Sequence, residues 1–180
     1  MPGNDSLPLE RWLAAAGHDV CLVFADIVGS TLLVHTRGTK IYAHVLSAYR
    51  TRAQQCVDAL GGRLISREGD EIFAVFLTAT AGYRFAREMT ADAGHPLVSV
   101  RVGIHFGSVS CLDSGLVGRV VPLAQRVMDH GGPHEVWMSD ATKRALADDQ
   151  PSLVEEIEWL ASENCVLDGI PEPQLLWRVV

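Results

Sequence analysis

Two aspartates occupy positions from which carboxylates could bind a metal ion. Asp26 directly follows an apolar run, residues 19–25, and Asp70 lies in a turn just before a second run, residues 72–77. If the two runs form neighbouring strands, both carboxylates meet at one edge of a sheet. Two carboxylates together with a backbone carbonyl suit Mg²⁺ or Mn²⁺, because both ions prefer hard oxygen ligands. Either residue alone is better explained as a helix cap or a turn residue, so it is the pair that indicates a site.

A phosphate-binding turn is predicted directly after Asp26. The segment Val28, Gly29, Ser30 and Thr31 is polar, contains a glycine and leads into a helical pattern. Backbone amides and the positive end of the helix dipole favour phosphate at such a position. The carboxylates and the turn together indicate a site in which two metal ions handle a nucleoside triphosphate.

The apolar pattern along the chain predicts the elements that must position these residues. Residues 19–25 are typical of a buried strand, and helical spacing follows from Leu32 to Leu60. A strand–turn–strand segment, a helix, a strand and a further helix come next, with predicted bounds of 63–77, 79–93, 97–106 and 121–129. This order predicts an α+β fold with a ferredoxin-like βαββαβ core, an antiparallel sheet with helices packed on one face. The tail, residues 153–180, predicts two more strands.

Length and composition limit the classes of protein that fit. The 180 residues suit one domain, predicted over residues 17–180 after a loosely ordered N-terminus, residues 1–16. With 15 Lys and Arg against 22 Asp and Glu, the net charge of −7 argues against a nucleic-acid partner. No apolar run reaches the roughly 18 residues of a membrane span, and residues 1–10 lack a signal pattern, so we expect a cytoplasmic protein without a membrane partner. The four cysteines form no CxxC pair and are expected as free thiols.

Five ordered segments resemble the motifs of class III nucleotide cyclases, the adenylate and guanylate cyclase family. They are residues 24–31 (FADIVGST), 61–76 (GGRLISREGDEIFAVF), 101–107 (RVGIHFG), 118–126 (GRVVPLAQR) and 168–173 (DGIPEP). The resemblance covers residues 19–180, and five motifs in order are far more specific than any one of them.

The resemblance implies a mechanism and a partner. Two divalent ions, Mn²⁺ or Mg²⁺, would be held by Asp26, Asp70 and the carbonyl of Ile27, and one ion would activate the ribose 3′-hydroxyl for attack on the α-phosphorus. Arg126 stands where the family places the arginine that stabilises the developing charge, although a solvated helix arginine is its plain alternative. Family members work as head-to-tail dimers, so a homodimer is expected, with one chain providing the metal ligands and the other providing Arg126 and the base pocket.

The base-pocket positions depart from the purine-specific pattern. Ser66 stands where adenylate cyclases have a lysine, and Gly115 stands where an aspartate or threonine is usual. Pro122 occupies the position of the ribose-orienting asparagine. A pocket that loses its hydrogen-bonding groups should lose its preference for purines.

Three hypotheses about the substrate follow from these departures. The altered pocket, the length and the expected lack of a sensor domain resemble the stand-alone pyrimidine cyclases of bacterial anti-phage defence, the Pycsar systems. That resemblance implies conversion of UTP, or else CTP, into a cyclic nucleotide that a separate effector protein reads. The alternatives are a purine cyclase of unusual selectivity and a weakly active pseudo-cyclase that serves as a dimeric binding module.

Overall fold

A computed structural model describes residues 7–14, 17–113 and 115–180 of the chain. The strands in these ranges are β1 (Asp19–Ile27), β2 (Arg63–Glu68), β3 (Glu71–Phe76), β4 (Val100–Ser108), β5 (Ser110–Leu112), β6 (Gly115–Val117), β7 (Val136–Ser139), β8 (Trp159–Cys165) and β9 (Gln174–Val179). The helices are α1 (Leu9–Ala14), α2 (Ser30–Arg37), α3 (Thr39–Ala59), α4 (Ala79–Ala91), α5 (Val120–Asp129), α6 (Asp140–Asp149) and α7 (Pro151–Glu156).

Within the described ranges, seven strands form one sheet in the order β2-β3-β1-β4-β7-β9-β8, and β5 pairs with β6 separately. The central strand β1 pairs antiparallel with both β3 and β4. This register places Ala25 opposite Ile72 and Asp26 opposite Arg101. The α+β fold with a mainly antiparallel sheet is therefore confirmed, with one parallel pair between β4 and β7.

Helices cover both faces of the sheet, so the expectation of helices on one face was wrong. Side chains alternate along β1, and Val23 packs with α3 and α4 while Phe24 packs with α1 and α5. Because β1 is apolar on both faces, each face needs its own cover. Helix α5 comes very close to β4 at Gly103, where a Cβ atom would lie 2.1 Å from the backbone nitrogen of Met128.

Three local features differ from the sequence expectations. The helix predicted from Leu32 to Leu60 is divided at Gly38, whose φ of 84° lies in the left-handed region that favours glycine. The segment between the predicted strand 97–106 and the predicted helix 121–129, for which no strand was expected, contains the β5–β6 hairpin. Part of the N-terminal segment expected to be loosely ordered forms α1, which buries Trp12 and Leu13.

Two further expectations concern the cysteines and the membrane. The four cysteines are free thiols, as predicted, and Cys111 is the half-buried one while the other three are buried. Within the described ranges, no helix combines the length and the apolar character that crossing a membrane requires.

Candidate active site

The carboxylates of Asp26 and Asp70 lie side by side. Asp26 is the next-to-last residue of β1. Asp70 lies in the turn between β2 and β3, and β3 is the neighbour of β1 in the sheet. The two carboxylates are within hydrogen-bonding distance of each other. Burial, followed by the hydrogen bond and the charge of Asp70, raises the pKa of Asp26 to about 6, and Arg101 opposes this shift. The structure thus brings together the two residues that the sequence paired.

The donor set at this edge fits a hard divalent cation. Two carboxylates in contact repel each other when both are ionised, and a cation between them relieves that repulsion. No cluster of three or more His, Cys, Asp or Glu side chains with metal-binding geometry occurs among the described residues. A cation held by Asp26 and Asp70 therefore needs further oxygen ligands from the backbone, from water or from a bound phosphate, as Mg²⁺ commonly does. Ile27, whose carbonyl was the predicted third ligand, adjoins Asp26 at the end of β1.

Helix α3 supports this edge from one face of the sheet. Arg50 donates a hydrogen bond to the carbonyl of Gly69 and so fixes the turn that carries Asp70. The hydroxyl of Tyr49 is buried without a hydrogen-bond partner among the described residues. Burial, and then the charges of Asp26, Asp70 and Glu71, raise the pKa of this hydroxyl. An unpaired hydroxyl near two carboxylates is consistent with a polar ligand or water in the site.

Arg101 is a site residue that sequence reasoning did not single out. It lies on β4 directly opposite Asp26, and its Nη2 is 3.0 Å from Asp26 Oδ2. The same nitrogen is 3.2 Å from Asp129 Oδ1, and Nη1 donates to the Asp129 carbonyl at 3.3 Å. The motif containing Arg101 was visible in the sequence, but its pairing with Asp26 depends on the register between β1 and β4.

Arg126 lies near the C-terminal end of α5 and is held by acidic groups of its own chain. Its Nη1 is 2.9 Å from Asp129 Oδ2, and its Nε donates to the carbonyl of Asp168 at 3.0 Å. Its Nη2 is 3.7 Å from the carboxylate of Asp168. Within one chain, Arg126 is thus linked to Asp26 through Asp129 and Arg101.

The segment predicted to bind phosphate forms the turn before α2, but not every amide in it is free. Gly29 adopts a φ of 74°, and α2 starts at Ser30 without a side-chain cap, so the first amides of the helix, those of Ser30 and Thr31, point out of its N-terminus. The amide of Val28 instead donates to the carbonyl of Ser99 at 2.8 Å. Val28 is therefore corrected from a phosphate ligand to a structural residue, because its only N–H is already used.

Tyr42 on α3 is a second neighbour that sequence reasoning missed. Its hydroxyl is within hydrogen-bonding distance of the Ser30 side chain. Burial, and then the nearby carboxylates of Asp70 and Asp26, raise the pKa of this hydroxyl. Tyr42 thus contacts the start of α2 and lies close enough to the carboxylate pair to feel its charge, an arrangement that depends on the packing of α3.

Ser66 shares a sheet face with Asp26. A bulge between Leu64 and Ser66 pairs Ser66 with Phe73, and the Phe73 ring stacks on Phe24 at 4.3 Å. Phe24 and Asp26 point to the same face of β1 because they are two residues apart. Ser66 therefore lies on the site's face of the sheet, while Arg67 lines a groove beside α3.

The predicted pocket residue Gly115 and the substituted position Pro122 lie on other elements. Gly115 begins β6, opposite Leu112. Pro122 lines a cavity of about 480 Å³ between α5 and the segment before β9, to which neither Ser66 nor Gly115 contributes. The polar side chains around that cavity are Arg119, Glu172 and Gln174. They come from separate parts of the chain, so no local motif could have indicated them.

Comparison with known proteins points to one family. The family model described as the adenylate and guanylate cyclase catalytic domain matches residues 14–161. An adenylate cyclase of Streptomyces coelicolor is 30% identical over 127 residues, which cover 69% of this chain and 32% of the relative. The chain spans about a third of the length of the curated relatives it matches.

Solved structures share the fold. An adenylate cyclase of Trypanosoma brucei, solved in its monomeric state, superposes with a TM-score of 0.82 at 18% identity and covers 98% of this chain and 93% of that one. A guanylate cyclase domain of Catenaria anguillulae in complex with GTP superposes with a TM-score of 0.75 at 18% identity, over 91% of this chain and 96% of that one.

Proposed function

Because the chain belongs to the family of adenylate and guanylate cyclase catalytic domains, we propose that it is a metal-dependent nucleotidyl cyclase acting on a pyrimidine nucleoside triphosphate. UTP is the favoured substrate, and the products are 3′,5′-cyclic UMP and pyrophosphate. The observation that carries the cyclase activity is the contact between the carboxylates of Asp26 and Asp70 at one sheet edge. Both side chains offer oxygen ligands, and Asp26 lies shortly before the start of α2 in the chain, where phosphate is favoured.

The carboxylate pair holds the divalent cations in this proposal. Two such ions, Mn²⁺ or Mg²⁺, neutralise triphosphate charge and lower the pKa of the ribose 3′-hydroxyl when they are bound. Asp26 and Asp70 are both half-buried, and partial removal from water strengthens the attraction of a carboxylate for a cation. The carbonyl of Ile27 and the amides of Ser30 and Thr31 complete the proposed contacts with cation and phosphate.

Arg126 stabilises the charge that develops during the reaction. A bond forms between the ribose 3′ oxygen and the α-phosphorus, the hydroxyl proton passes to water, and the bond to the pyrophosphate oxygen breaks. Negative charge then grows on the phosphoryl and leaving-group oxygens, and a guanidinium offers planar, two-pronged hydrogen bonds to them. We propose that Arg126 does this in a head-to-tail homodimer, where it faces the carboxylate pair of the partner subunit.

The pyrimidine preference rests on the side chains at the base-pocket positions. Ser66 is short, and its hydroxyl can either donate or accept a hydrogen bond. Pro122 has no side-chain donor, so a ribose or a base beside it needs contacts from Arg119, Glu172 or Gln174 instead. With the groups that read a purine replaced, these positions no longer favour a purine, and in this respect they resemble the pyrimidine cyclases of anti-phage defence. In that role the enzyme acts in the cytoplasm and a separate effector protein reads the product.

ATP is the second candidate substrate, and a specific observation favours it. The Streptomyces coelicolor relative, at 30% identity, is named an adenylate cyclase. The same fold and carboxylate pair would serve ATP, with the polar groups around Pro122 reading the purine.

The test is an incubation of the purified chain with ATP, GTP, CTP and UTP separately, with Mn²⁺, followed by mass spectrometry of the products. Cyclic UMP, or cyclic CMP, as the dominant product supports the pyrimidine proposal. Cyclic AMP or cyclic GMP refutes it in favour of a purine cyclase. A folded dimer that forms none of the four products refutes the enzymatic proposal and indicates a binding module.

A further inference from the structure

A chain of ion pairs runs from the carboxylate pair to Arg126 within one protomer. Asp26 contacts Arg101 at 3.0 Å, Arg101 contacts Asp129 at 3.2 Å, and Asp129 contacts Arg126 at 2.9 Å. The side chains of these residues are between 20% and 37% exposed, so solvent screens the pairs less than it screens fully exposed ones. Strand β4 carries Arg101, and α5 carries both Asp129 and Arg126.

Asp129 divides its carboxylate between the two arginines. Its Oδ1 serves Arg101 and its Oδ2 serves Arg126. A carboxylate that gives one oxygen to each of two guanidinium groups holds each less firmly than it would hold one guanidinium through both oxygens. A change at either arginine therefore alters the hold on the other.

Arg101 is likewise shared between two carboxylates, and one of its N–H donors is unused. A single nitrogen, Nη2, lies near both Asp26 Oδ2 and Asp129 Oδ1. Its Nε is buried without a hydrogen-bond partner among the described residues. An arginine with an unused N–H can gain a hydrogen bond by turning further towards one of its two acidic partners.

We propose that Asp129 is a positioning residue that links cation binding at Asp26 to the release of Arg126 in the same chain. Arg101 leaves Asp26 when a divalent cation is bound there, since two cations compete for one carboxylate. It then pairs fully with Asp129, which loosens its hold on Arg126. Arg126 keeps only the contacts with Asp168, whose carboxylate is 93% exposed, and becomes available to a triphosphate. The inference rests on the proposed function, because it uses the cation site and the role of Arg126 proposed above.

In the proposed dimer, this chain of ion pairs connects two different active sites. The Asp26 of one protomer serves one site, and its Arg126 serves the other. Cation binding at the first site then prepares the arginine of the second, which couples the two sites through one protomer.

The test measures Mn²⁺ binding to the full chain, without nucleotide, by electron spin resonance of the unbound ion. Asp129→Asn removes the alternative partner of Arg101, so Arg101 stays on Asp26 and Mn²⁺ affinity falls about five-fold or more. In Arg126→Gln, both carboxylate oxygens of Asp129 are available to Arg101, which therefore leaves Asp26 more readily. Mn²⁺ affinity then rises by a similar factor. In a chain that already carries Arg101→Gln, the substitution Arg126→Gln should no longer raise Mn²⁺ affinity.

A control variant and a second readout separate this linkage from a plain charge effect. Arg144→Gln removes one positive charge at an ion pair with Asp140 on α6, outside the chain of ion pairs, and should leave Mn²⁺ affinity unchanged. Phenylglyoxal modification, followed by peptide mass spectrometry, reports the availability of Arg126 directly. Mn²⁺ should accelerate modification of Arg126 in the wild-type chain and leave its rate unchanged in the Arg101→Gln chain.

The outcomes distinguish the inference from the function on which it rests. If Arg126→Gln raises Mn²⁺ affinity equally with and without Arg101, the effect is plain electrostatics and the linkage is refuted, while the metal site stands. If Mn²⁺ binding is absent, or unaffected by Asp70→Ala, the metal site itself is refuted, and the linkage with it.

Discussion

The close approach of α5 to β4 makes Gly103→Ala the most informative single substitution. The new Cβ would lie 2.1 Å from the backbone nitrogen of Met128 and 2.4 Å from its Cα, and neither atom can rotate away as a side chain can. Ordinary van der Waals contact begins at 3.4 Å, so α5 must move away from the sheet by more than about 1 Å. Overpacking of this kind costs about 1–3 kcal/mol of stability. The helix carries Arg126, and a displacement of that size near a reacting group can cost about 100-fold in rate.

The assay combines urea unfolding with the rate of cyclic nucleotide formation by Gly103→Ala. Under conditions where the variant is folded, the rate should fall about 100-fold, and the midpoint of unfolding should fall with it. Gly132→Ala is the matched control, because a Cβ there comes no closer than 3.5 Å to another residue. If Gly103→Ala has the stability and the rate of the wild-type chain, α5 is not held in place by its contact with β4.

Three further predictions concern the buried polar network and the turn before Asp70. Burial lowers the pKa of His105 to about 4, so between pH 6.5 and 4 this side chain takes up a proton only in the unfolded chain. Acidification over this window should therefore lower the free energy of unfolding by about 3 kcal/mol. Urea unfolding would show this loss in the wild-type chain and not in His105→Gln. Ser139 Oγ lies 2.7 Å from His105 Nδ1 and accepts from the amide of Thr142, so Ser139→Ala should lower the free energy of unfolding by about 2 kcal/mol at pH 7, and an unchanged value would contradict this role. Arg50 holds the carbonyl of Gly69, so Arg50→Gln should raise the Mn²⁺ concentration needed for half-maximal rate, and an unchanged Mn²⁺ dependence would show that the turn needs no such support.

Much of the core was predictable because its elements are strongly apolar. The β1 and β3 segments and helix α5 follow from apolar runs and helical spacing, and the pairing of Asp26 with Asp70 follows once the two strands are neighbours. The family resemblance is confirmed by the family model. The pyrimidine substrate, the homodimer and the role in defence remain predictions.

The features that the sequence did not reveal depend on contacts between distant segments. Arg101 faces Asp26 only in the register that β1 and β4 adopt, and one residue of slip would place it on the opposite face of the sheet. The cavity at Pro122 is lined by Arg119 and Gln174, which come from two distant parts of the chain. Helix α5 can pack on the second face of the sheet because Gly103 has no side chain at the point of contact. A single glycine in a strand does not indicate which helix will pack against it.

The central claim is that Asp26 and Asp70 form the cation site of a nucleotidyl cyclase. The most direct test compares cyclic nucleotide formation by the wild-type chain, Asp70→Ala and Asp148→Ala over a range of Mn²⁺ concentrations. Asp148 is an exposed residue of α6, so its substitution removes an equal charge elsewhere. We expect the rate of Asp70→Ala to fall to background at every Mn²⁺ concentration, while Asp148→Ala keeps the wild-type rate. Turnover by Asp70→Ala at the wild-type rate would contradict it.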